Sequence, residues 1–416
     1  MIAMEVKYKK TGIDWMPEIP EHWRLIRLRF LCSITTGKKN TEDRIEDGEF
    51  PFFVRSQTIE RINSYSFEGE GILTAGDGVG VGKVFHYVNE KFDFHQRVYL
   101  LFNFKEDING KFLFYYLQTF LITELMRYNS KSTVDSIRLP ILKDFIIPIP
   151  PKDEQIDSIF FIDNQTAKIN YFIQTKQQFI ELLKEQRQSI ITHAVTKGIV
   201  ENVKMKETVL GEIPEHWEVR RLKFCLNEKL KYGANAAGDY YNPTWYRYIR
   251  ITDFTADGTL NENNKLSLSP ENGKDYELKD GDILLARSGA TVGKSFQFKS
   301  VDREEKCCYA GYLIKASPNE ELILSDFLYN FTLTSNYENW KGSILIKATI
   351  ENISADKYSN LLIPIPTIKE QKRILEHIKS ETRILDIDIN KAEREIELMK
   401  EYREAMIAEA VTGKRK

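Results

Sequence analysis

Cysteine and histidine are scarce in this chain, at four and six residues in 416. Cys32, Cys225, Cys307 and Cys308 form no Cys-x-x-Cys pair, and no histidine stands where it would complete a metal pattern with them. They read as buried free thiols in a reducing cytosol. Long apolar runs are missing too: none reaches the ~18 residues of a membrane span. The N-terminal MIAMEVKYKK lacks the apolar core of a signal peptide. The expectation is a soluble, cytoplasmic protein with no membrane contact. A basic surplus is also absent. Lys and Arg total 59 against 61 Asp and Glu, a formal net charge of −2. That argues against a simple nucleic-acid binder, whose usual footprint is a basic surface. What remains is ordinary globular composition, long enough for two to four domains at roughly 100–200 residues each.

The chain repeats itself. IPEHWRLIRLRF (19–30) returns as IPEHWEVRRLKF (213–224), 194 residues later. Val54-Arg55 returns as Ile249-Arg250, at offset 195. ILTAGDGVGVGKVF (72–85) returns as ILLARSGATVGKSF (283–296), at offset 211. IPIPPKDEQ (147–155) returns as IPIPTIKEQ (363–371), and Ala194-Val195-Thr196 as Ala410-Val411-Thr412, both at offset 216. The rising offset places insertions inside the second globular part. Between IPIP and the AVT string there are none, as a packed helix requires, because each added residue turns its face by about 100°.

Those fixed-length segments read as helices opened by Pro150, Pro151 and Pro366. Steps of three and four link Ile159, Ile162, Thr166, Ile169, Ile173, Lys176, Ile180, Leu183, Arg187, Ile190 and Ala194. The second stripe has Leu375, Ile378, Thr382, Leu385, Ile389, Ala392, Ile396, Met399, Arg403, Met406 and Ala410 in the same register. Such narrow seams are coiled-coil stripes, each the natural partner of the other. The expected fold class is mixed α/β (α+β). Two repeated globular domains, 1–150 and 199–366, are separated by two long helices, 151–198 and 367–416. Antiparallel pairing of those helices as a coiled coil gives a pseudo-two-fold. A dyad crossing mid-helix sets Lys176 against Ala392. In the globular parts, strands are expected at 52–54, 72–75, 84–88 and 98–102, and at 246–251, 283–286, 295–298 and 312–316. Helices are expected at 112–126 and 325–337.

Several chemical motifs fail on inspection. Residues 288–295 (SGATVGKS) look like a phosphate-binding loop, but Ser288 stands where the first glycine is needed and a strand follows instead of a helix. A glycine-rich hairpin turn, able to bring Lys83 or Lys294 near a phosphate, explains the string better. Asn242-Pro243-Thr244-Trp245 resembles the Asn-Pro-Pro-Tyr loop of amino-methyltransferases but lacks the second proline and a glycine-rich cofactor site. Asp275 with Glu277-Leu278-Lys279 holds part of a nuclease carboxylate–lysine pattern at too short a spacing. The six histidines form no His-x-Glu or Glu-x-x-His cluster, and His22 and His216 belong to a structural corner, PEHW. No catalytic or metal-binding constellation emerges, so the expectation is a non-catalytic protein with no cofactor of its own.

Two heads on a long spacer suggest a two-part target. Positions shared by the heads do framework or phosphate work, and differing positions can read different sequences. Arg55 and Arg250 match. Beyond them Ser56-Gln57-Thr58 stands against Ile251-Thr252-Asp253, where Gln can pair with adenine and Asp can accept from cytosine. Lys131-Ser132-Thr133 and Lys347-Ala348-Thr349 match as polar loops, with Lys347 and Thr349 the candidate contacts.

The IPEHW openings, the GDILLARSGATVGK hairpin (281–294), the IPIP-x-x-x-EQ entries and the AVTKG and AVTGK helix ends together resemble the specificity subunits of type I restriction-modification systems. The resemblance runs nearly the whole length in the expected order. The first hairpin, 71–83, departs from it by lacking the Gly-Asp opening. The resemblance implies two target-recognition domains, each reading half of a bipartite double-stranded DNA site. It also implies docked methyltransferase subunits carrying S-adenosylmethionine, and a motor-nuclease (restriction) subunit for cleavage. Partners that close around the duplex would supply phosphate contacts, so the isolated chain is expected to bind DNA weakly and salt-sensitively. The alternatives are a scaffold that holds two protein partners without touching DNA, and an enzyme. A mobility shift with and without the methyltransferase subunit separates the first, and a methylation assay the second.

Overall fold

The computed structural model describes residues 7–127, 136–255, 260–289, 291–300, 305–345 and 352–414. The chain divides into two compact units, 1–177 with 393–416, and 178–392. The long helices run Lys152–Lys197 and Ile368–Val411. Each unit therefore holds one globular part, the opening half of one long helix and the closing half of the other.

Within each unit the helix halves pack antiparallel. In the first, Arg403 donates to Asn170 (2.8 Å) and the Lys176 ammonium meets Glu395 (2.6 Å), so partner numbers fall as residue numbers rise. In the second, Arg187 donates to Asp386 (2.9 Å), while Ile191 shares a core with Ile374 and Ile378. Every member of both expected stripes is buried or half-buried. The central pairing differs from the expectation. The Lys176 ammonium is paired with Glu395. A register about one turn away gives the ammonium a carboxylate, where alanine would leave a charge uncompensated in the seam.

The repeated motifs at the helix openings act as clamps. Gln155, with no exposed surface, donates to the carbonyls of Asp107 (2.9 Å) and Pro150 (3.0 Å) and accepts from the Asn109 amide (2.8 Å). Gln371, equally buried, donates to Leu322 (2.9 Å) and Pro366 (3.0 Å) and accepts from the Leu324 amide (2.8 Å). The neighbouring glutamates hold the PEHW corners. Glu154 accepts from His22 (2.7 Å) and Trp23 (2.9 Å), and Glu370 from His216 (2.6 Å) and Trp217 (3.4 Å). The closing end of a long helix packs on each corner through Gly413 and Gly198, both left-handed at φ +72° and +78°. A Cβ on Gly413 would collide with Pro20 and crowd Trp23, so glycine serves both the helix cap and the close approach.

The first globular part has a six-stranded sheet in the order Ser33–Thr36, Val98–Phe102, Phe67–Ala75, Phe85–Phe94, Phe50–Phe53, Glu60–Ile62. Only the Phe50–Phe53 pairing with Phe85–Phe94 is parallel. The second part splits this plan into two four-stranded sheets. One contains Ile283–Ala286 and Ser295–Gln297, the other Tyr246–Ile249 parallel to Cys307–Tyr309. The long strand Phe85–Phe94 serves both roles in the first unit, whereas in the second they fall to two strands, Ser295–Gln297 and Cys307–Tyr309. The added length between them contributes to the rising offset.

Gly110–Arg127 forms the expected helix. Its counterpart, expected as one helix over 325–337, breaks into Ser325–Phe331 and Ser335–Leu345. Thr332 and Thr334 hydroxyls bond to the Tyr329 and Phe331 carbonyls and compete with the helix ladder.

Replacing Gln371 by alanine strands buried backbone groups, so a loss of about 1–3 kcal/mol is expected. Thermal unfolding should show a lower midpoint for Gln371→Ala and a loss of similar size for Gln155→Ala. Unchanged midpoints would mean that these bonds contribute nothing net.

Burial alone would raise the Glu370 pKa. Hydrogen bonds from His216, Thr367 and Trp217 outweigh it and hold the carboxyl at about 2, against an ordinary 4.5. Its stabilising contribution is therefore complete above pH 4.5 and fades as pH falls toward 2. Acid titrations followed by unfolding midpoint should fall less steeply across that window for Glu370→Gln than for the parent chain.

Candidate nucleic-acid interface

The glycine-rich segments connect antiparallel strands, as a hairpin turn should. In the first unit the Val81 amide donates to Gly78 (3.1 Å) and the Lys83 amide to Gly80 (3.0 Å). In the second, the Val292 amide donates to Gly289 and the Lys294 amide to Thr291, both at 2.9 Å. A strand, Ser295–Gln297, follows Lys294, so no helix N-terminus is available to hold a phosphate. Gly82 (φ +66°) and Gly293 (φ +79°) stand at matching points of the two turns. A Cβ at either would collide, with Ile122 in one unit and Lys341 in the other. Lys83 and Lys294 are exposed beside them.

The two arginines taken as a matched pair do not occupy the same place. The Phe53 carbonyl accepts from His95 and the Ile249 carbonyl from Ala310, both at 2.9 Å. By this backbone register Ile249 corresponds to Phe53, which sets Arg250 level with Val54, one residue before Arg55. Their partners differ accordingly. Arg55 reaches Asp77 of its hairpin (2.8 Å). Arg250 turns on Asp253, giving Nη2 to Oδ1 (2.7 Å), Nε to Oδ2 (3.1 Å) and its backbone amide to Oδ2 (2.8 Å). Asp253 is buried, and both its oxygens are engaged by Arg250. The counterpart of Asp77 is Ser288, so the second unit supplies this carboxylate from its own turn. The slip is invisible in the matching Val-Arg and Ile-Arg strings.

Gln57 is exposed and donates to the Lys83 carbonyl (3.0 Å), which ties it to the hairpin. The Ser56 carbonyl lies 3.0 Å from Nε2 of His86, and the Ser56 hydroxyl accepts from the Thr58 amide (3.1 Å). Arg55, Ser56 and Gln57 are thus each bonded to the hairpin that carries Lys83 or to the strand that follows it. Thr252 is exposed next to Asp253. Lys131, Ser132, Thr133, Lys347 and Thr349 lie outside the described residues. The sequence reading missed Arg97, whose Nη1 donates to the second oxygen of Asp77 (2.6 Å). Its signal was there: an exposed cation just before a core strand, replaced by Tyr312 in the repeat.

All four thiols are buried and unpaired by disulfides, and burial pushes Cys32, Cys307 and Cys308 up to about 12 and Cys225 to about 11. Such thiols are poor nucleophiles. Among the described residues no group of three or more His, Cys, Asp or Glu could hold a metal ion, and no helix is long and apolar enough to cross a membrane.

Two sheet-and-helix units, each clamped in the same way to paired long helices, define a duplicated scaffold with a hairpin in each copy. The family model for the type I restriction modification DNA specificity domain matches residues 20–189 and 214–399, and the chain belongs to that family. The specificity subunit of the Escherichia coli type I restriction enzyme EcoDI is 23% identical over 378 residues, covering 87% of this chain and 82% of the relative. The MjaVIII specificity subunit of Methanocaldococcus jannaschii is 25% identical over 432 residues, covering 95% and 96%. A chain solved in work on complex assembly and conformational transition of the type I R-M system shares the fold, with a TM-score of 0.66 at 15% identity over 95% of this chain and 99% of that one.

Alanine at Gly293 meets both a left-handed backbone and a collision, a cost of about 1–3 kcal/mol. Gly293→Ala and Gly82→Ala should each lower the unfolding midpoint, whereas alanine at Gly289, where a Cβ meets nothing within 4 Å, should lower it less.

Proposed function

We propose that this chain is the non-catalytic DNA specificity subunit of a type I restriction-modification complex, and that its two units each read one half of a bipartite double-stranded site. The observation that carries this reading is the repeat itself. Clamps and hairpin turns are held in common, while the exposed side chains around the hairpins differ. A single continuous target would not call for two unlike copies of one frame. The proposed contacts are Arg55, Ser56, Gln57, Thr58, Lys83 and Lys131–Thr133 in the first unit, and Arg250, Thr252, Asp253, Lys294, Lys347 and Thr349 in the second. Asp253 contributes by aiming Arg250.

The long helices are the proposed spacer, an antiparallel coiled coil with approximate two-fold symmetry. Arg187 with Asp386 and Arg403 with Asn170 support it, because each residue lies 216 positions from its counterpart and the contact is made twice. The helices also offer a place for methyltransferase subunits. Tyr171 and Ile387 are equivalent positions, 72% and 55% exposed, and so are Leu182 and Leu398, at 63% and 46%. Apolar side chains left in water at matching points of both helices suit two copies of one partner. S-adenosylmethionine would belong to that partner, and a restriction subunit would complete a cleaving complex. The net charge of −2 fits a division of labour in which the partners supply most phosphate contacts.

The test is a head exchange. Replacing residues 20–147 with the corresponding part of a relative should change one half of the methylated site and leave the other untouched, as read by methylome sequencing. A change in both halves would defeat the modular reading.

A further inference from the structure

The same backbone bonds recur at equivalent places in the two units. The Gly76 amide donates to the Arg97 carbonyl (2.8 Å), and the Arg287 amide to the Tyr312 carbonyl (3.0 Å). The next residue donates back in both units, Val98 to His95 and Leu313 to Ala310, each at 2.9 Å. Arg97 and Tyr312 therefore hold equivalent places, the last residue of a turn before a core strand. Both project into solvent: the Arg97 side chain is 58% exposed, and Tyr312 is 66% exposed. The same comparison sets Asp77 level with Ser288, through the bridges of Asp77 to Ser136 and of Ser288 to Asn352.

In the first unit these positions act together. Asp77 accepts from Nη1 of Arg97 (2.6 Å) and from Nη1 of Arg55 (2.8 Å), one on each oxygen. Burial would raise the Asp77 pKa, but the two guanidinium groups hold it below the usual carboxylate range. The backbone of Arg97 is fixed as well, since its amide donates to Nδ1 of the buried His95 (3.0 Å). Among the described residues Arg97 gives only Nη1 to a side-chain partner. Its Nε and Nη2 donors are left as a two-pronged edge on an exposed, aimed side chain.

We propose that Arg97 reads a guanine in the half-site bound by the first unit, and that Asp77 is its positioning residue. This deepens the proposed function and rests on it. Guanine presents N7 and O6 side by side in the major groove, and the arginine fork matches that pair with two parallel bonds. A guanidinium already turned by a fixed carboxylate loses less rotamer freedom on binding. A phosphate contact needs no such aiming, because charge alone supplies it. The second unit has tyrosine and serine at these two places, which cannot form the bidentate pair, so its half-site carries no guanine read in this way.

The test uses the full-length chain purified with its co-expressed methyltransferase subunits and a pool of randomised DNA duplexes, sequenced after selection. The parent complex should enrich a two-part site with a G·C pair in one half. Arg97→Ala should lower the preference for that pair by roughly 5- to 150-fold and leave the other half unchanged. Arg97→Lys should relax the same pair, because lysine keeps the charge and loses the fork. Asp77→Asn should give a smaller loss at that pair. If Arg97→Ala leaves both halves intact while affinity drops uniformly and the salt slope falls by about one, Arg97 contacts phosphate and the proposal is overturned. A variant with no change at all overturns it too. Circular dichroism checks folding, and should Arg97→Ala fail to fold, Arg97→Lys decides alone. Absence of any two-part enrichment by the parent complex brings down the underlying reading, and this proposal with it. Intact two-part enrichment with an unaltered first half defeats this proposal alone.

Discussion

The architecture depends on a glutamate–glutamine pair at the start of each long helix. The glutamine is fully buried and satisfies three backbone groups that would otherwise be stranded, two of them in the loop before the helix that covers the sheet. The glutamate takes the tryptophan and histidine of the corner. One helical turn therefore ties three segments distant in sequence: the corner, the sheet-covering helix and the long helix. A buried amide left half-satisfied would cost more than an apolar residue there, so the arrangement tolerates little variation. That constraint accounts for the EQ string in both copies while the surrounding globular parts differ in length and in sheet number.

Much of this was legible because it depends on period and spacing. The two long helices with their buried stripes, the hairpin turns and the helix over Gly110–Arg127 stand where hydrophobic pattern and glycine placed them. The unread parts depend on partners remote in sequence. Glu395 as the partner of Lys176 follows from a register that hydrophobic spacing leaves open by a turn. The split after Phe331 comes from threonine hydroxyls that compete locally with a helix the apolar pattern favours. The misplacement of Arg250 against Arg55 is of the same kind. Two identical letters were aligned, whereas the strand bonds align residues one step apart, and in an extended chain one step exchanges the two faces.

Sequence offset locates the frame only where the offset is constant, and it changes where the heads diverge. Backbone hydrogen bonds persist across the change. They bring Arg97 level with Tyr312 and Asp77 level with Ser288, although the local offsets are 215 and 211. The positions free to vary in a reading head are those whose backbone is held by the sheet and whose side chains are not needed by the core, and both residues meet that description.

The near-zero net charge then becomes less of an objection to a DNA-reading role. Opposite charges placed together cancel at distances beyond a Debye length of about 10 Å, so a paired arginine contributes little to the attraction that draws any duplex. At contact distance the pair does not cancel, because hydrogen bonds depend on the direction of individual donors. Asp253 closed on Arg250 is an arrangement of this kind, and Asp77 between Arg55 and Arg97 cancels one of their two charges. On the proposed reading, such a head gives up non-specific affinity, which falls steeply with salt, and keeps the directed donors that discriminate bases. A subunit whose partners can supply the phosphate contacts has little need of a basic surface, and a strongly basic one would hold it on the wrong sequences.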